Sequence, residues 1–239
     1  MNKVFLSLLC ALSLGLSGCM KSSQNIQYFT DVPAVIAYDR VFGQPVLITV
    51  TETFMAPELR EYFQYAILRE GEAILAFFNL DMNQEPVQGY RTITDFDCYQ
   101  VGITTVVEEK EEVDKDDCLP IDEVQPFALI MHEKMLVMYV AFRQNTNFRS
   151  YTYTMTYDAG DTDGVPTLSV RSKGTGEPYA TPAEFLTPYV FEMYDYIMSL
   201  PRDAQNQVKV NLRYRKGVDN SGNEIWAYCA DNPLSIPLP

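Results

Sequence analysis

Hydrophobic and polar positions alternate with a period of two over much of the chain. In "RSYTYTMTYD" (149–158), Tyr151, Tyr153, Met155 and Tyr157 lie on one face and Thr152, Thr154 and Thr156 on the other. A period of two sustained over seven residues is a strand pattern and excludes a helical stripe. "QVKVNLRYR" sets Val208, Val210, Leu212 and Tyr214 against Lys209, Asn211, Arg213 and Arg215, which predicts one dry and one wet face. "QPVLITVTETF" alternates Val46, Ile48 and Val50 against Leu47, Thr49 and Thr51. "PFALIMHEKMLVMYVAF" predicts a hairpin or strand pair about His132-Glu133-Lys134, and "PTLSVRS" and "NEIWAYCA" add strands after turn signals. "GYRTITDFDCYQVGITTVV" supplies one or two more.

Two segments are ambiguous by pattern. "YFQYAILREGEAILAFF" places Arg69-Glu70-Gly71-Glu72 between apolar runs and predicts a hairpin. A rival helix over 57–68 would align Leu59, Tyr62, Phe63, Ala66 and Ile67, but the aromatic and β-branched content favours strand. "TPAEFLTPYVFEMYDYIMSLP" opens like a capped helix at Thr181, Pro182 and Glu184, which Pro188 obstructs. From Pro188 onward, either Val190, Phe191, Tyr194, Ile197 and Met198 form a helical stripe, or Tyr189, Phe191 and Met193 alternate as a strand before a helical turn. Short strands joined by Gly, Pro and Asn turns point to an antiparallel sandwich in the second half.

Val4–Leu16 is almost unbroken apolar sequence. It is shorter than the roughly 20 residues that cross a bilayer and matches a secretory signal core. Leu16-Ser17-Gly18-Cys19 resembles a bacterial lipobox, in which cleavage precedes the cysteine and its sulfur is lipidated. The resemblance implies a signal peptide over 1–18, lipid attachment (diacylglyceryl plus an acyl chain such as palmitate) at Cys19, and a tether over 19–34. Several acyl chains hold a membrane stably where one does not. Met20 rather than Asp follows the cysteine, which points to the outer membrane, on either of its faces.

Removal of residues 1–18 takes away Lys3 and leaves 221 residues with 17 basic and 32 acidic side chains. So acidic a surface is repelled by phosphate backbones and argues against a nucleic-acid partner. "EEKEEVDKDDC" (108–118) carries seven acids and two lysines and reads as a solvated interdomain loop. It places a boundary near 115–124, between a first domain over 35–115 and a second over 120–239.

Candidate chemistry is sparse. After lipidation of Cys19, Cys98, Cys118 and Cys229 remain. In an oxidising compartment two readings stand, a Cys98–Cys118 bridge or three unpaired thiols. His132 is the sole histidine, sits in the predicted hairpin, and suits an exposed or packed role better than catalysis. "DAGDTDG" resembles part of a calcium loop, with Asp158, Asp161 and Asp163 as the candidate ligands, but it lacks the distal bidentate Glu and reads as a turn. No carboxylate pair stands out, and no cofactor motif is present. Trp226 reads as core, and the 16 tyrosines suit sandwich margins as well as sugar platforms.

"YAILREGEAI", "VQGYRTITDF", "TLSVRSKGTGEP", "YVFEMYDYIMSL" and "VKVNLRYR" resemble, in order, the strand patterns of NigD-like lipoproteins of Gram-negative bacteria. That resemblance spans most of 44–228. It implies an all-β fold, with a small OB-like β-barrel domain followed by an antiparallel β-sandwich domain, and it favours the strand reading of 189–193. It also implies a non-enzymatic cell-envelope protein with an immunity-like or assembly role and a polypeptide partner. A carbohydrate-binding accessory lipoprotein is the alternative, and a carboxylate hydrolase comes third.

Overall fold

The structure is a computed structural model that describes residues 25–109, 118–148, 150–158, 164–175 and 181–238. The lipobox with Cys19, most of the acidic run, and Asp161 and Asp163 lie outside the described residues. The described chain is all-β apart from two short helices, and no helix in it is long and apolar enough to cross a membrane.

Described residues up to Glu70, with Ile74–Tyr99, form one compact unit. Its strands are β1 (Ile26–Asp39), β2 (Gln44–Thr49), β3 (Thr53–Met55), β4 (Ala73–Asp81) and β5 (Arg91–Val101). They close into a barrel in the order β1-β2-β3-β5-β4. The expected tether is shorter than its sequence reading. Strand β1 begins at Ile26, and Phe29 and Val32 pack against the barrel core of Ala34, Ile36, Leu47, Phe54, Ile74, Phe78 and Ile93. Apolar side chains in 26–34 therefore extend the fold into a segment whose polar residues suggested a linker.

Helix α1 (Pro57–Gln64) replaces the strand favoured for 57–68. Pro57 fixes the first-turn backbone, Glu58 sits in that turn, and Leu59 is fully buried in the barrel core with Tyr62 and Phe63 beside it. One apolar stripe against a closed barrel outweighs the β-propensity of its aromatic residues. A turn follows, and β4 supplies only the second half of the predicted hairpin.

The second unit takes Gly71–Ala73 and continues from Gln100. This division falls earlier than the 115–124 boundary. Strands β6 (Ile103–Thr105) and β7 (Val107–Glu108) pair with later strands of the second unit, so they do not extend the first. After β8 (Cys118–Leu119) come β9 (Glu123–His132), β10 (Met135–Thr146), β11 (Ser150–Tyr157), β12 (Thr167–Thr175), β13 (Ala183–Glu192), α2 (Tyr194–Ser199), β14 (Gln207–Val218), β15 (Glu224–Tyr228) and β16 (Leu234–Pro237). The hairpin at Glu133-Lys134 forms as its pattern predicts, with His132 opposite Met135. Residues 189–192 are strand and 194–199 helix, as the family resemblance favours, and no helix starts at Thr181.

A four-stranded sheet, β6-β13-β10-β9, and a seven-stranded sheet, in which β16 and β8 add to the run β15-β14-β12-β11-β7 by pairing with β14 and β12, share one core. Leu136, Met138, Val140, Phe142 and Phe191 come from the first sheet, and Tyr153, Met155, Leu168, Val170, Val210 and Leu212 from the second. The sheets are mixed rather than antiparallel. β7 runs parallel to β11, β6 to β13, and β14 to β12. Between β12 and β14 the chain passes through β13 in the other sheet, so it re-enters in the same direction. Phe142 stacks on Tyr153 at 3.7 Å between centroids. The Tyr153 hydroxyl and Ser172 Oγ both donate to Gln144 Oε1, at 3.2 and 3.0 Å, and Gln144 Nε2 donates to the Pro120 carbonyl at 2.9 Å. These bonds satisfy polar groups that burial would otherwise penalise, and burial pushes the Tyr153 phenol well above its ordinary pKa.

Candidate functional site

Among the described residues, the loop end of the barrel and one face of the second unit's larger sheet set polar and apolar side chains against their usual sorting. Asp39 closes β1 with its side chain turned back on its own loop, where Oδ1 accepts the N–H groups of Val41 at 2.7 Å and Phe42 at 3.1 Å. Such an Asx turn fixes a short loop without burying it. Gly43, at φ +64°, supplies the left-handed residue that leads into β2. From the β4–β5 loop, the Tyr90 hydroxyl donates to Asp39 Oδ2. That bond, and then the two N–H groups, hold the Asp39 carboxyl below its ordinary pKa, while Tyr90 is raised by the same bond. Val87 and Tyr90 exchange backbone bonds of 2.8 and 3.0 Å, and the Phe42 ring meets Tyr90 edge-on at 6.1 Å.

This frame pins the two loops to each other. It also leaves Val41 86%, Val87 57% and Phe42 42% exposed. Clustered apolar side chains kept in solvent by a hydrogen-bonded support are a feature of interaction surfaces.

The second place is the face of the seven-stranded sheet turned away from the shared core. Alternation on β12 sends Leu168 and Val170 inward and Ser169 and Arg171 outward. On β14 it sends Leu212 and Tyr214 inward and Arg213 and Arg215 outward. That outward face was read as wet, yet Arg171 and Arg215 are buried. Glu224 on β15 answers both. Its carboxylate takes a two-pronged contact from Arg171, with Nε and Nη2 each at 2.8 Å, and lies 3.1 Å from Arg215 Nε. Glu109 adds a second carboxylate, 2.9 Å from Arg171 Nη2. Arg215 Nη1 also donates to the Cys118 carbonyl at 2.6 Å. Burial alone would lower the Arg171 pKa; its bonds to Glu224 and Glu109 raise it above normal, so the ion pair stays charged.

Trp226 belongs to this face rather than to the core. Its ring lies 4.7 Å from the Arg171 guanidinium and 4.4 Å from that of Arg213. Sequence reading missed the cluster because an outward arginine on an amphipathic strand looks solvated. The available signal was Glu224 and Trp226, two apart on the next strand and so on one face with the arginines.

The remaining candidates fall apart. Cys98 is packed beside the barrel core, Cys118 lies on β8 in the second unit, and Cys229 packs against the shared core. Among the described residues the structure contains no Cys98–Cys118 bridge. Burial pushes the Cys229 thiol up to about 12, which keeps it protonated and inert. Asp158 follows the end of β11, and no metal-holding group of three His, Cys, Asp or Glu side chains occurs among the described residues.

No family model matches the chain, and no curated protein matches it. Solved structures do. An uncharacterized protein from Parabacteroides merdae superposes with a TM-score of 0.65 at 15% identity, covering 82% of this chain and 94% of its own. A provisionally assigned lipoprotein from Bacteroides fragilis gives 0.56 at 10% identity, covering 88% and 98%. A NigD-like immunity protein from Bacteroides caccae is also among these neighbours, at 0.44 and 12% identity, covering 87% and 94%. At such identities the likeness is one of fold.

Proposed function

We propose that this chain is a lipid-anchored cell-envelope protein that binds another polypeptide through the loop end of its barrel and catalyses no reaction. The observation that carries the reading is the rigid exposure of Val41, Phe42 and Val87 on the frame of Asp39 and Tyr90. Strand order β1-β2-β3-β5-β4, with α1 between β3 and β4, supports reading the barrel as OB-like, and the two sheets on one core support a β-sandwich after it. In OB folds the β1–β2 and β4–β5 loops are the ligand-binding loops, and those are the loops joined here by Tyr90. Apolar anchors with an acidic residue beneath them suit a polypeptide that presents apolar and basic side chains. Attachment through acyl chains on Cys19, at the outer membrane, follows from the apolar leader and its Leu-Ser-Gly-Cys ending.

A photo-reactive residue placed at Val41, at Val87 and, as a control in the second unit, at Lys134 tests the reading in intact cells. One polypeptide cross-linked from both loop positions and not from Lys134, whose purified form loses binding to a Phe42→Asp variant, is the expected result. Adducts that differ between the two loops, or that survive Phe42→Asp, overturn it. A Cys19→Ala variant should leave the membrane fraction; continued pelleting contradicts the anchor.

A further inference from the structure

Among the described residues, the arginine face of the second unit holds one guanidinium without a carboxylate partner. Arg171 pairs with Glu109 and Glu224, and Arg215 with Glu224. Arg213 has no such partner. Its Nε donates to Ser169 Oγ at 2.8 Å, its guanidinium lies 4.4 Å from the Trp226 ring, and neither terminal nitrogen meets an acceptor among the described residues. The side chain is half-buried, so this cation is already oriented and partly stripped of water. Its directly opposed residue across the β14–β15 ladder is Tyr228, which is 55% exposed.

A guanidinium fixed at Nε offers its two outer N–H groups as a fork matched to a carboxylate. An exposed phenol ring alongside provides a flat surface on which a sugar ring can stack, with a hydroxyl for its polar edge. We infer that Arg213 and Tyr228 form a binding site for a uronic acid residue, the carboxylate seated on Arg213 and the pyranose ring on Tyr228. The ligand class follows from the pairing: one oriented guanidinium without a carboxylate partner among the described residues seats one carboxylate. Rigid placement on paired strands favours a flat ring over a flexible side chain, because little ordering remains to be done on binding. The site is built from residues of the second unit and does not depend on the reading proposed for the barrel loops.

Calorimetric titration of the full-length protein in detergent micelles tests the site with trigalacturonate, a neutral galactose trisaccharide and a tetra-glutamate peptide as probes. The expected result is measurable binding of trigalacturonate alone. That affinity should fall about tenfold or more in Arg213→Gln and in Tyr228→Ala, and be unchanged in Lys134→Gln. Tyr228→Ala alters an exposed position and keeps the test decisive if Arg213→Gln does not fold. Arg213→Lys, which keeps the charge and loses the fork, should also bind weakly. Equal binding of the neutral sugar, binding of the peptide instead, no binding of any probe, or uronate binding indifferent to Arg213 and Tyr228 would each overturn the inference.

Discussion

In the seven-stranded sheet, guanidinium and carboxylate groups are withdrawn from water, while at the loop end of the barrel valine and phenylalanine are held out in it. The two regions use the same devices, a carboxylate as acceptor and an aromatic ring as neighbour, to opposite ends. Glu224 binds Arg171 and Arg215 into a closed set, and Trp226 lies against it. Asp39 binds only backbone N–H groups and the Tyr90 hydroxyl, which stiffens the loops and leaves their apolar side chains outside. The difference separates polarity that the fold closes in from polarity that supports an exposed patch. A buried ion pair makes the fold depend on each partner; a supported exposed patch can be altered while the fold stands.

Substitutions that break the comparison differ widely in size. Glu224→Ala leaves buried Arg171 with Glu109 and removes the carboxylate 3.1 Å from buried Arg215, and should destabilise the protein by roughly 3–5 kcal/mol in denaturant unfolding. A change under about 1 kcal/mol would mean that water reaches the arginines. Leu59→Ala opens a cavity where α1 meets the barrel core and should cost roughly 2–4 kcal/mol. An effect near zero there would remove the packing that makes 57–64 a helix. In the loops, the sign follows from the lowered Asp39 pKa. The charged, bonded Asp39 contributes above the ordinary carboxylate range, and its contribution is lost as pH falls through the lowered value. Tyr90→Phe removes the main cause, so the Asp39 titration followed by NMR should move up toward the ordinary value. No movement would mean that the N–H groups of Val41 and Phe42 hold the carboxylate unaided. Smallest of all, Val41→Asp should change stability by no more than about 0.5 kcal/mol, since the side chain packs against little.

Legibility in the sequence followed periodicity. The strands at 150–157 and 207–215 and the hairpin at Glu133-Lys134 were readable because one face of each is dry and the ladder is local. Helix α1 was misread because its stripe of Leu59, Tyr62 and Phe63 is written in residues that strands also favour, and only the barrel core decides between them. The division between units was misplaced because charge in 108–118 is a louder signal than the pairing of β6 and β7. The barrel-end patch was not visible at all. Val41, Phe42, Val87 and Tyr90 belong to loops some 45 residues apart, and no local pattern tells an exposed valine from a buried one. The arginine cluster lay in plain view along β12 and β14, but Glu109 comes from a distant segment, and Glu224, beside a turn, reads as one more solvated acid.

The barrel end gives the sharpest test of the central claim, that its exposed side chains are held for a partner rather than for the fold. Thermal unfolding of a Val41→Asp, Phe42→Asp double variant, measured beside the unsubstituted protein, puts the question in one number. An unchanged midpoint, with the loop cross-link lost, is what the account predicts. A midpoint lowered by several degrees would make these residues part of the barrel's own stability and contradict it.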